Sequence, residues 1–131
     1  MNDELRRFIA DGASRITPAR LEKLIRLLPE IRLAVTQVHG FTHLADQVEF
    51  LAEIIEDFYS GLSRDIPFMA IAESAFALLY LRKNVDIIPD AIPGMGRADD
   101  AAIVATVFEN YRRPFLKHVL ARRVRSKVVE S

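Results

Sequence analysis

The chain has 131 residues, half of them hydrophobic and 27% charged, which suits one domain with its own core and excludes disorder over the whole length. Lysine plus arginine and aspartate plus glutamate stand at 18 each, so no global field favours nucleic acid or acidic partners. There is no cysteine, which excludes a disulfide framework, thiolate zinc and thiol catalysis and fits a reducing, cytoplasmic setting.

The opening MNDELRRFIADG has acids at Asp3 and Glu4 and no apolar run, so it is not patterned as a signal peptide. Residues 3–11 read as a short helix that Gly12 should stop. Thr17-Pro18 is a helix start, with a hydroxyl at the N-cap and proline in the first turn. Leu21, Leu24, Ile25 and Leu28 then follow helical spacing. Pro29 should kink or split this helix, because it lacks an N–H and crowds the preceding turn. Ile31, Val35 and Val38 continue the apolar face to Gly40.

The next helix is the clearest. Leu44, Val48, Leu51, Ile55 and Phe58 make one continuous stripe. Asp46, Glu49, Glu53, Glu56 and Asp57 lie off it, with no basic residue between 41 and 60. The preceding helix carries Arg15, Arg20, Lys23, Arg26 and Arg32, so an antiparallel basic–acidic pair joined by HGFTH is expected. His39 and His43 have a spacing that suits one metal ion, with Asp46 the nearest further ligand. Gly40 interrupts any helix there, so a helix-junction role is favoured.

Gly61 ends the acidic helix and Asp65-Ile66-Pro67 starts another. Residues 67–82 are apolar on nearly every side, the pattern of a central helix. The apolar stretch Ile66–Leu81 contains Glu73 and falls short of the roughly 20 residues a membrane span needs. A carboxylate in such a helix must be paired or hydrogen-bonded. The readings for Glu73 are an arginine partner, a solvent-facing strip, or a cleft beside the following loop.

Residues 84–100 read NVDIIPDAIPGMGRADD and are expected to form a rigid polar loop over 84–98. Proline forces extended backbone at Ile88 and Ile92, and Gly94 and Gly96 permit positive φ. Asp99 suits an N-cap and Asp100 a first turn. Asp90 suits an Asx-turn, while Asp86 lies at a helix C-terminus, where a carboxylate is disfavoured. The alternative is a divalent cation held by Asp86, Asp90, Asp99 and Asp100, although the spacing fits no calcium-loop pattern. No other cofactor is implied.

A last helix should open at Asp99-Asp100, bury Ile103, Val104, Val107 and Phe108, kink at Pro114 and run to residue 128. Residues 111–131 carry seven basic side chains against Glu130, a net of +6, which leaves −6 on residues 1–110. With Phe115, Leu116, Val119, Leu120 and Val124, this basic tail has three readings. It is a solvated helix end, a contact for an anionic membrane surface peripheral to the inner membrane, or a segment packed on the acidic body of this chain or a second copy. Nucleic acid is not expected, since no binding module accompanies the charge.

The segment containing Tyr80-Leu81, Asp86, Ile88-Pro89-Asp90, Ile92-Pro93, Gly96 and Asp99-Asp100 resembles the YkvA-like family, a bacterial and archaeal domain of unknown function, over residues 64–108. Asn84 stands where that family commonly has proline, and Arg97 where a large apolar residue is common. The resemblance implies a helical hairpin around the loop and a tendency toward membrane association, and it brings no reaction, substrate or catalytic residue. Nothing matches a phosphate loop, a dinucleotide fingerprint or a nucleophile elbow. Ser14, Ser60, Ser63 and Ser74 have no histidine partner that spacing points to. The expectation is one all-α domain over residues 1–131, with five or six helices and a Pro/Gly/Asp-rich loop between the last two core helices. Its leading role is a non-enzymatic interaction or scaffold module that binds a protein partner or itself. The competing role is a metal-binding protein or metal-dependent enzyme centred on the four aspartates.

Overall fold

The computed structural model describes residues 3–36, 42–62, 65–87 and 95–130, with the side chains of residues 3–35, 43–62, 65–82 and 101–122. Among the described residues the architecture is all-α: α1 (Asp3–Ala13), α2 (Pro18–Thr36), α3 (Thr42–Tyr59), α4 (Phe68–Ile87), α5 (Met95–Asn110) and α6 (Arg112–Glu130).

The expected central helix is central. α4 packs against α1, α2, α3 and α5. Ala70, Ala72, Ala75 and Ala77 are buried and let those neighbours approach, while Ile71, Leu78 and Leu81 fill the space between them. Each large apolar side chain taken out of water contributes about 1.5–3 kcal/mol. The stripe on α3 also holds: Leu44, Val48, Leu51 and Ile55 are buried. Local signals set several ends. Thr17 Oγ1 accepts the Arg20 N–H at 3.2 Å, which caps α2. Gly61 has φ 82° just past α3, where it supplies the left-handed conformation of a helix stop.

Pro29 does not split α2, which is one helix from Pro18 to Thr36. Leu24, Leu28, Ile31 and Val35 are all buried, and their packing outweighs the roughly 3 kcal/mol that an interior proline costs.

Gly12 does not stop α1, which runs on to Ala13. Its role is close approach: a Cβ at Gly12 would overlap one edge of the Phe76 ring of α4. Phe8, one turn earlier, meets the rings of Phe76 and Tyr80 edge-on at 5.4 and 5.7 Å.

The loop is shorter than 84–98, because α4 continues through Asn84 and Asp86 to Ile87 and α5 begins at Met95. Asp99 and Asp100 therefore lie inside α5, not at its N-cap. Proline at 84 would remove an N–H from the last turns of α4, and asparagine keeps it. The last helix is broken in two at Tyr111, with Pro114 in the first turn of α6. A proline ring clashes with the carbonyl four residues back, here Asn110, so an unbroken helix is disfavoured at this point.

Gly12→Ala should lower stability by about 1–3 kcal/mol through overpacking, partly offset by alanine's better helix propensity. Thermal unfolding checks this. A melting temperature equal to or above that of the parent would contradict the close α1–α4 contact, and Phe76→Leu in the same chain should relieve the loss.

Candidate functional site

Polar side chains inside the bundle tie helix to helix. Glu73 of α4 is 6% exposed. It accepts a hydrogen bond from Asn110 Nδ2 at 3.1 Å and one from the Tyr111 hydroxyl at 2.5 Å. Among the described residues its partners are thus neutral donors, where the sequence left an arginine, a solvent-facing strip or a cleft beside the following loop open. Both donors sit at the α5–α6 break, so the carboxylate holds the two residues about which the chain turns. Burial first, then the hydrogen bond and charge of Glu73, push the Tyr111 phenol above its ordinary value.

On α3 the acidic face is answered from two sides. Arg32 of α2 reaches Glu49 Oε2 at 2.8 Å and Glu56 Oε1 at 2.7 Å. The expected pairing of basic α2 with acidic α3 is present, and Arg82 of α4 adds a 3.3 Å contact to Glu30 of α2. From the other side Arg122 of α6 reaches Glu53 Oε2 at 2.7 Å and lies 3.7 Å from Asp57 Oδ2. His118 of α6 is fully buried. Its Nε2 lies 3.3 Å from Asp57 Oδ2, and its ring stands edge-on to Phe50 at 6.3 Å.

His118 was not singled out by sequence reasoning. The available signal was the spacing of Phe115, His118 and Arg122 by three and four residues, which puts them on one face of α6. A buried ring has no access to a substrate in solvent, so His118 positions α6. The serines are similarly committed. Ser14, Ser60 and Ser74 donate to the backbone carbonyls of Asp11, Asp57 and Ala70 at 2.6, 3.3 and 2.7 Å.

Next to this seam lies an open groove of about 300 Å³ with almost wholly apolar walls. Its lining includes Asp46 and Phe50 from α3, Phe108 from α5, and Phe115, Leu116 and Val119 from α6. The rings of Phe50, Phe108 and Phe115 form a triangle with centroids 5.2–5.4 Å apart, which sets the floor. Leu116 is 58% exposed and Leu120, one turn on, is 52% exposed. The backbone of α6 comes close to that of α5 alone among the described helices, so α6 is held on α3 by side chains.

The four aspartates are not brought together by anything described. Asp86 lies in the last turn of α4, Asp99 and Asp100 in α5, and Asp90 outside the described residues. Among the described residues no group of His, Asp and Glu has the arrangement of a metal site. The His39–His43 pair also falls outside, because only His43 is described, and it is exposed. In the basic tail, Phe115, His118 and Arg122 engage the acidic helix of the same chain, while side chains beyond 122 lie outside the description. No described helix is long and apolar enough to cross a membrane.

These features describe an all-α protein whose buried polar groups join helices and whose open apolar surface lies along α6. Residues 70–106 match the family described as a protein of unknown function (DUF1232). The match spans α4 from Ala70 and most of α5, and contains the whole Tyr80–Asp100 segment of the resemblance. No curated protein and no solved structure matches the chain.

Tyr111→Phe should destabilise the fold by about 1–3 kcal/mol at neutral pH, since a buried carboxylate loses a donor. A tyrosine in the unfolded chain ionises near pH ~10. Because the folded value is raised, the stability from this bond is fully present below that pH and is lost as pH rises through the folded value. Melting temperature followed from pH 8 to 12 should therefore fall more steeply in the parent than in Tyr111→Phe. Identical alkaline limbs would remove the Tyr111–Glu73 bond from this account.

Proposed function

We propose that this chain is a non-enzymatic interaction module that docks a partner along α6. The observation that carries the reading is the open groove between α3, α5 and α6, floored by Phe50, Phe108 and Phe115 and edged by exposed Leu116. An aromatic floor with aliphatic edges and a few polar groups at the rim is the composition of a surface that receives an apolar anchor. The charged residues nearest the floor support the same reading. His118 and Arg122 lie against Asp57 and Glu53 and hold α6 in place, and neither lines the groove.

A photo-crosslinking amino acid placed at Leu116 should give a discrete crosslinked product in cells that make the protein. The same residue at Leu33, which is 61% exposed on α2, serves as the control. A defined product from position 116 and none from position 33 is the expected result. Equal yields from both positions, or no product from either, would sink the interaction reading.

A further inference from the structure

We infer that the outer face of α6, the side turned away from the bundle, binds an anionic lipid surface; this goes beyond the groove reading above and does not depend on what fills the groove. Phe115 and His118 are buried and Arg122 pairs with Glu53, so these three fix which side of α6 faces the bundle. At about 3.6 residues per turn, the side turned away carries two adjacent rows. One runs from Arg112 at its edge through Leu116 to Leu120, and the other joins Arg113 and Lys117, with a spacing of four residues in each. Arg113 stands three residues before Leu116, and Lys117 three before Leu120, so each leucine has a cation beside it. All five side chains are exposed, Leu116 at 58% and Leu120 at 52%. Leu116 stands where this face meets the groove, and Leu120 does not line the groove.

The charge on this face has one sign. Arg112, Arg113 and Lys117 make no ion pair with a described residue of their own chain, whereas Arg122 on the bundle side is matched by Glu53. Residues 111–129 contain no acid, so no carboxylate of this segment repels a phosphate. A partner for this face must bring negative charge and an apolar layer side by side. A bilayer does. Long basic side chains lay their stems along the leucines and keep their charges at the phosphates, while the leucine ends reach the acyl boundary. A nucleic acid offers phosphates, but binding through them gives exposed leucines nothing to enter. Leu120 projects from the convex side of a helix, and a fluid surface receives it without a matching pocket. The larger charge distribution orients the molecule. Residues 111–131 carry +6 and residues 1–110 carry −6, so an anionic surface attracts the α6 side and repels the body. Two leucines make a shallow anchor, so the attraction is mainly electrostatic.

Co-sedimentation of the full chain with vesicles tests this. The expected result is binding to vesicles of equal parts phosphatidylserine and phosphatidylcholine, and none to phosphatidylcholine alone. Raising salt from about 0.05 to about 0.5 M should release the protein, because exposed charges are then screened over a shorter distance. Arg113→Glu with Lys117→Glu should lower the partition coefficient at least about tenfold, since each reversal removes an attraction and adds a repulsion. Leu116→Ser with Leu120→Ser should lower it about threefold or more. Arg20→Glu with Lys23→Glu makes the same change of charge at exposed positions of α2 and should leave binding unaltered. Circular dichroism of each variant should match the parent, as every substituted side chain is exposed. If a variant misfolds, the lipid and salt series on the parent chain decides alone. Binding to phosphatidylcholine alone, binding that survives high salt, or no binding to the mixed vesicles would overturn the inference. So would equal losses from the α6 and α2 charge reversals. No vesicle binding beside a defined protein crosslink at position 116 would overturn it and leave the groove reading standing. Salt-sensitive vesicle binding without such a crosslink would do the reverse.

Discussion

The structure turns on one buried carboxylate. Glu73 sits in the most apolar helix of the chain, and it is satisfied by Asn110 and Tyr111 at the place where α5 gives way to α6. An uncompensated carboxylate in that position would cost several kcal/mol. Pro114 disfavours a continuous helix there, and Glu73 then holds the break residues. From this junction α6 takes its course across the acidic helix. Phe115 reaches the rings of Phe50 and Phe108, and His118 and Arg122 reach Asp57 and Glu53.

Helix α3 is thereby clasped from both sides. Arg32 binds its acids at 49 and 56, Arg122 binds that at 53, and the His118 ring lies against Asp57. Exposed ion pairs are individually weak, but a forked guanidinium between two carboxylates specifies which helix faces which. The apolar stripe of α3 supplies the stability, and its charged flanks select the neighbours. The groove is what remains where α6, standing off on long side chains, does not close against the start of α3.

Much of the helical framework was legible in residues taken singly or in short runs. The stripe from Leu44 to Phe58, the cap at Thr17 and the stop at Gly61 depend only on local backbone chemistry. The central place of residues 67–82 followed from an apolar surface with no polar side. Local rules failed where a distant ring or helix intervened. Gly12 reads as a stop, but the Phe76 ring lies against it. Pro29 reads as a kink or a split, but buried side chains on both sides keep α2 one helix. The loop aspartates drew attention because they are dense in sequence. His118 did not, because its partner Asp57 is 61 positions away in the chain.

By itself, the sequence determined an all-α chain, most of the segments that form its helices, and the separation of a basic tail from an acidic body. Periodicity, proline, glycine and charge act over a few residues, and they can be read without knowing what lies across the core. Only the tertiary structure decided the partners of Glu73, the burial of His118 and the presence of an aromatic-floored groove along α6. Each of these joins residues remote in the chain, and burial and electrostatic pairing depend on distance in space.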